Sequence, residues 1–282
     1  MEYLKLNNDV KMPVEGLGTF LMSPAEAEAA SLAALEAGYK HIDTANAYMN
    51  EKAVGRAIAK SGVARDKLFV STKLWPSVYE AGDAAIEGTL NRLGLDYVDM
   101  LILHQPVGNY LAAWKTMEKA YKEGKVRALG LSNFPQGKIA EVIDHAEIKP
   151  QLVTVECHPY FAQSDLREYL SQYGIVIEAW YPLGHGDKGL QEEPVFTKLA
   201  EKYGKTPAQV ILRWHVQMGT SIIPGSKNPA HIADNVDIFD FELTDEEMAE
   251  VAKLDGTKKY YEATEEALAG YLAIKPDFDA QE

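Results

Sequence analysis

The stretch His41-Ile42-Asp43-Thr44-Ala45-Asn46-Ala47-Tyr48 decides how this chain is read. A short run from Gly38 to Ile42 delivers Asp43, and Tyr48 follows five residues later on a short polar segment. Alone, that is a strand end with a surface tyrosine beyond it. The next two strand candidates also end in an ionisable residue. Leu68-Phe69-Val70-Ser71-Thr72 stops at Lys73, and Val98-Asp99-Met100-Leu101-Ile102-Leu103 stops at His104. Three successive strand ends therefore offer Asp, Tyr, Lys and His.

Outward from that stretch, short apolar runs alternate with amphipathic segments of helical length. The expected strands are 16–20, 41–43, 68–73, 98–104, 126–132, 152–156, 176–180 and 220–224. Helix starts are marked by Ser23-Pro24-Ala25-Glu26, Thr206-Pro207 and the capping box Thr244-Asp245-Glu246-Glu247. Gly38, Gly62, Gly94, Gly124 and Gly174 stand where helices should stop. Alternating strands and helices imply a parallel sheet, because parallel strands need crossovers. Eight such units predict an α/β fold of the closed (β/α)8 barrel type. The open alternative lacks its dinucleotide fingerprint, since Gly16-Leu17-Gly18 runs on into Thr19-Phe20-Leu21. Asn7-Asn8-Asp9 between two short runs predicts an N-terminal hairpin. Two extra helices are expected, 193–203 ahead of the crossover helix 207–218, and another from 244 to near 254. No linker or composition shift interrupts the chain, so residues 1–282 are expected to form one domain.

Composition narrows the function. Forty-two acids against 28 bases give a formal net charge of -14. Such a surface repels nucleic acid and anionic membrane, so neither is an expected partner. The single cysteine, Cys157, has no disulfide partner in the chain, which suits a reducing compartment. No leader-like start and no bilayer-length apolar run is readable, so a cytoplasmic protein is expected. No exposed apolar helix face stands out, and a monomer is expected.

A barrel gathers the carboxyl ends of its strands on one face, where loops build the site. Here that rim would carry Asp43, Tyr48, Lys73, Trp75, His104, Ser132, Asn133, His158, Trp180 and Ser226. Reducing a carbonyl needs hydride at carbon and a proton at oxygen. No side chain donates hydride, so a nicotinamide must. A nearby ammonium favours a phenolate, so Lys73 is expected to lower the Tyr48 pKa, with Asp43 fixing Lys73. His104 can donate a hydrogen bond to the carbonyl oxygen. Each residue also has an ordinary reading as cap, solvated charge, packing tyrosine or rim histidine. Together on three consecutive strand ends, the four favour chemistry. No paired-cysteine or HExxH spacing exists, and no metal is expected.

Seven ordered segments then resemble one family. They are Gly16-Leu17-Gly18-Thr19-Phe20, His41 through Tyr48, Ser71-Thr72-Lys73-Leu74-Trp75, Leu103-His104-Gln105-Pro106, Gly130-Leu131-Ser132-Asn133-Phe134, Val155-Glu156-Cys157-His158-Pro159-Tyr160 and Pro182-Leu183-Gly184. The chain is similar to the aldo-keto reductases from near Tyr3 to near Pro276. The short loop after His104 and the tail 268–278 resemble the bacterial branch that includes 2,5-diketo-gluconate reductases. The resemblance implies a small-molecule carbonyl substrate and Asp43, Tyr48, Lys73 and His104 as catalytic residues, with Tyr48 the proton donor. It implies NADPH or NADH near Gly18, Thr19, Ser132, Asn133, Thr154, Trp180, Leu183, Gly225, Ser226, Lys227, His231, Asp234 and Asn235. Ser132 and Asn133 would hold the carboxamide, Trp180 would stack on the nicotinamide, and Phe20 and Trp75, with His104, would wall the substrate pocket.

Two departures from the family pattern bear on the cofactor. Val153-Thr154 stands where Asn-Gln is usual, so the carboxamide contact should weaken. Ile223-Pro224-Gly225-Ser226 and His231 stand where the family has Ile-Pro-Lys-Ser and an arginine, the grip on the 2′-phosphate. Use of both cofactors, or a lean toward NADH, is therefore expected, with Lys227 a partial replacement. Two rival readings are a cofactor-loaded redox-sensing or regulatory barrel with little turnover, and a phosphate-sugar isomerase with Gly184-His185-Gly186 and Gly225-Ser226 at the phosphate.

Overall fold

Side chains on a strand alternate between its two faces, so every second residue of a barrel strand points inward. In the computed structural model, which describes residues 1–282, that rule places an apolar plug at one end of the barrel and ionisable groups at the other. The hairpin strands β1 (Tyr3–Lys5) and β2 (Lys11–Pro13) pair antiparallel, Tyr3 opposite Pro13, around a turn with Asp9 at φ 68. Leu6 and Met12 of the hairpin pack against Phe69, Met100, Ile102, Ala128 and Leu152, sealing the barrel floor. Two residues further along, the same inward rows carry Ser71, His104 and Thr154, and Lys73 follows Ser71.

The barrel strands are β3 (Leu17–Gly18), β4 (His41–Asp43), β5 (Phe69–Leu74), β6 (Met100–Leu103), β7 (Leu129–Ser132), β8 (Leu152–Glu156), β9 (Val176–Trp180) and β10 (Ser221–Ile222). Each pairs in parallel with the next in sequence order. The ring closes where Glu15 bridges Ile222, with Gly16 N donating to Ile222 O and Ile222 N donating to Val14 O, both at 2.9 Å. All eight expected strands exist, and several are shorter than expected. The first stops at Gly18 because the chain turns just beyond it, with Met22 N donating to Thr19 O at 3.2 Å and Leu21 at φ 61. Between β6 and β7 the early pairing shrinks to one Val98–Val126 bridge.

Helices cover the outside, and their ends follow the sequence signals. Ser23, Thr206 and Thr244 each close a capping box, and Gly38, Gly62, Gly94, Gly124 and Gly174 all take positive φ. The expected extra helices appear as Pro194–Tyr203 and Asp245–Ala252. Two more were not expected, Lys188–Glu192 and Glu265–Ala273. The first is a single turn too short for a periodic pattern. The second buries no residue fully; Ala267, Leu268 and Tyr271 make its half-buried face. No helix is long and apolar enough to cross a membrane.

Candidate active site

Asp43 ends β4, Lys73 lies one residue from the end of β5, and His104 follows β6 directly. Tyr48 closes the 3-10 turn Asn46–Tyr48. Lys73 Nζ donates to both oxygens of Asp43, at 2.6 and 2.5 Å, and to Thr44 O at 3.1 Å. Both side chains are buried. Asp43 Oδ1 also accepts from Ser71 Oγ at 2.7 Å, and His41 Nε2 lies 2.8 Å from Ser71 Oγ. Ser71 has one proton and gives it to Asp43, so His41 Nε2 must be the protonated ring nitrogen. Burial, and then Lys73, hold His41 down to about 3, so the ring is neutral as this chain requires. The carboxylate is thus aimed from behind by a serine and a histidine.

Lys73 Nζ lies 5.2 Å from the centroid of the Tyr48 ring. Lys73 lowers the pKa of the phenol as expected, but the net shift is upward. Burial pushes Tyr48 up to about 12; the Lys73 ammonium pulls it down but does not win, and Asp43 adds to the rise. Removal from water penalises the anion more than one already paired ammonium relieves it. Burial is the largest single influence on Lys73 and opposes its charge, but Asp43, Tyr48 and Glu178 together outweigh it and hold the ammonium above its ordinary value. His104 is held well below its ordinary value by burial and by Lys73, so it is neutral. Its ring meets Tyr48 edge-on at 5.5 Å and Trp75 at 5.1 Å. Its Nδ1 is buried without a partner, which leaves Nε2 to meet a ligand.

The four side chains open into one cleft of about 580 Å³. It brings together Phe20, Trp75, Gly18, Ser132, Asn133, Thr154, Trp180, Leu183 and Gly225 with the tetrad. Gly18 is required by close approach: a Cβ there would sit 2.6 Å from Ile223 O. Trp180 Nε1 donates to Asn133 Oδ1 at 2.9 Å, which turns the amide nitrogen of Asn133 free to donate elsewhere. Thr154 Oγ1 donates to Glu178 Oε1 at 3.0 Å, so its proton is spent. A nicotinamide fits these neutral donors and aromatic faces.

Six expected cofactor residues do not line the cleft. Thr19 is buried and its hydroxyl donates to Asp43 O at 3.0 Å. Ser226 Oγ accepts from Asn228 N at 3.2 Å, ahead of the helix Pro229–Val236. His231 and Asp234 are exposed on that helix and Asn235 is buried in it. Lys227 Nζ is paired with Glu26 at 2.9 Å. Lys227 and the Ser23 cap together hold the Glu26 carboxyl down to about 2.

The sequence points to the tail after Asp255 as a wall of the pocket but does not single out its residues. Tyr261, Tyr271, Ile274 and Pro276 come from the tail, joined by Leu21, Gln105, Tyr181 and His185. Trp75 Nε1 reaches Tyr271 O at 3.2 Å and Ile274 O at 3.1 Å. Buried Glu156 accepts from Tyr260 N, Tyr261 N and His158 Nε2 at 2.7, 2.9 and 2.8 Å. The available signal was Tyr260 and Tyr261 together with the apolar run 267–274, which carries Tyr271 and Ile274.

Residues 16–256 match the model of the aldo/keto reductase family. A glyoxal reductase of Bacillus subtilis is 45% identical over 256 residues, covering 89% of this chain and 92% of that one. A morphine 6-dehydrogenase of Pseudomonas putida is 44% identical over 268 residues, covering 89% and 90%. Among solved structures, a Bombyx mori aldo-keto reductase in complex with NADP superposes with a TM-score of 0.87 at 33% identity, covering 93% of this chain and 95% of that one.

Proposed function

The chain belongs to the aldo/keto reductase family, and from that premise we propose that Tyr48 gives the proton in its reaction, with Lys73, Asp43 and His104 in support. The protein is an oxidoreductase that reduces an aldehyde or ketone to an alcohol with a nicotinamide cofactor. When bound, that cofactor supplies the hydride. His104, neutral, donates through Nε2 to the carbonyl oxygen and orients it. Tyr48 stays protonated until reaction, since its pKa is pushed up to about 12. As the phenol releases its proton, the Lys73 ammonium stabilises the phenolate that develops, in a site where burial strengthens the interaction. Asp43 keeps that ammonium charged and in place.

One observation carries this reading. The Tyr48 ring lies 5.2 Å from the Lys73 ammonium and 5.5 Å from the neutral His104 ring, on the wall of the cleft. The test is Tyr48→Phe. Turnover of a simple aldehyde should fall by roughly 10²–10⁴-fold, the span of general acid catalysis. Quenching of tryptophan fluorescence by NADPH should persist. Near-normal turnover would remove Tyr48 from the role, and absence of any quenching would remove the cofactor site.

The family match ends at residue 256, while the tail beyond it closes the cleft, so in this reading 1–282 acts as one domain. Similar proteins bear names as different as glyoxal reductase and morphine 6-dehydrogenase, so the lining must choose the substrate. Phe20, Trp75, Tyr261, Tyr271 and Ile274 offer apolar and aromatic surface, and the one fixed cation, Lys73, is engaged by Asp43. We infer an uncharged carbonyl with an aromatic or alkyl body. NADH is accepted alongside NADPH, because Gly225 and His231 supply no fixed charge for a 2′-phosphate and Lys227 is paired with Glu26.

A further inference from the structure

The barrel interior holds a carboxyl that the reaction described above does not use. Glu178 lies mid-strand on β9, buried, on the inward face between Val176 at the floor and Trp180 at the cleft. Its two oxygens accept from Thr154 Oγ1 on β8 at 3.0 Å and from Ser221 Oγ on β10 at 3.2 Å. Strand register sets these residues on either side of it. Both partners are neutral hydroxyls. A carboxylate taken out of water without a cation in contact is costly, so a purely structural role is poorly served. A glutamine could satisfy the same two hydroxyls at lower cost. Thr154 lines the cleft, and Trp180 stands two residues up the same face, roughly 7 Å along a strand.

We propose that Glu178 is a positioning charge for the nicotinamide: ionised, it favours the oxidised, positively charged ring over the reduced, neutral one, so the protein's preference between the two redox forms changes with pH. The inference rests on the reading that this cleft holds the cofactor. Burial first, then the Asp43 carboxylate, raise Glu178 to about 7, while Lys73 and the two hydroxyls pull it back. Across the barrel it faces Asp43 on β4, Lys73 on β5 and Tyr48 beyond them. The flanking strands present only Thr154 and Ser221, because Glu156, further along β8, is turned onto His158 and the tail amides. Lys73 and Tyr48 are held above neutrality, and His104 well below its ordinary value. Asp43 is locked to Lys73. Glu178 is thus the interior group placed to change charge near neutral pH.

Linkage sets the sign. A bound cation favours the ionised carboxyl, so affinity for the oxidised cofactor rises as pH rises through the titration of Glu178. The reduced ring carries no charge and gains nothing. A 2′-phosphate also titrates near ~6, but both redox forms carry it, so it cancels in their ratio.

The experiment measures Kd for NADP+ and NADPH by tryptophan quenching from about pH 5.5 to about 8.5, in the native protein and in Glu178→Gln. The ratio Kd(NADP+)/Kd(NADPH) should fall about fivefold or more in the native protein, the lower end of usual site–site coupling, and stay flat in the variant. Should Glu178→Gln fail to fold, Ser221→Ala substitutes: losing one donor to the carboxylate should move the change in ratio to higher pH. A flat native ratio with both cofactors bound, an undiminished slope in Glu178→Gln, or no displacement in Ser221→Ala overturns the proposal. Failure to bind either cofactor overturns the underlying reading instead.

Discussion

Lys227 Nζ lies 2.9 Å from the carboxylate of Glu26, so the one cation in the loop after β10 is engaged by an acid of the first helix. A paired ammonium is a poor anchor for a phosphate. The ratio of kcat/KM for NADPH over NADH should therefore stay below several hundred. His231→Arg, on the exposed face of its helix, should raise NADPH affinity about tenfold or more, as a charged hydrogen bond of ~1.5–3 kcal/mol would. Glu26→Gln should raise it a few-fold with NADH unaffected. A native preference for NADPH of several hundred-fold would reject this account.

Asp43 and Lys73 form an ion pair with almost no contact with solvent. Asp43→Asn keeps the shape and strands the ammonium. It should abolish most turnover and cost about 3–5 kcal/mol, the usual consequence of breaking such a pair. Asp43→Asn combined with Lys73→Met should recover most of the stability and none of the activity. Urea unfolding of the single and double variants separates the two effects. A double variant no more stable than Asp43→Asn would mean the charge was not the cause.

The contribution of Glu178 to stability should fall as pH rises through the neutral range. Glu178 is raised to about 7, so the folded state holds a proton that the unfolded chain releases near the ordinary Glu value of about 4.5. Its stabilisation is complete below that value and is lost as pH rises through about 7. Burial raises Glu15 in the same direction. Relative to Glu178→Gln, the native protein should lose Tm between about pH 5 and pH 8, on top of a rise with pH up to about 6.5 that both share because burial keeps His41 and His104 neutral. Parallel Tm profiles in the two would exclude Glu178 as a source of the loss.

The cleft wall contributed by the tail should govern which carbonyls enter. 4-Nitrobenzaldehyde should be reduced with a kcat/KM at least about tenfold above 4-carboxybenzaldehyde, since no free cation meets a carboxylate there. Trp75→Phe keeps the aromatic face but loses the two indole bonds to Tyr271 O and Ile274 O. It should raise KM for bulky aldehydes and leave cofactor affinity unchanged. A matching loss of NADPH binding would place Trp75 in the cofactor site rather than on the tail.

Much of this molecule was legible from the chain alone. Eight alternations of strand and helix, with caps at Ser23, Thr206 and Thr244, specify a barrel because each signal acts over a few residues. Placing Asp43, Lys73 and His104 at strand ends put them on one rim, since closure leaves the ends nowhere else to go. Three things came only with the tertiary structure. The balance between burial and charge at Tyr48 depends on how much water is excluded, which no local pattern records. The pairing of Lys227 with Glu26 joins residues far apart in sequence. The tail's path over the cleft rests on Glu156 and Trp75 holding backbone groups, contacts that carry no periodicity to read. Short-range physics therefore settled the architecture and the kinds of groups at the rim, while long-range burial settled their protonation, their partners and the shape of the pocket.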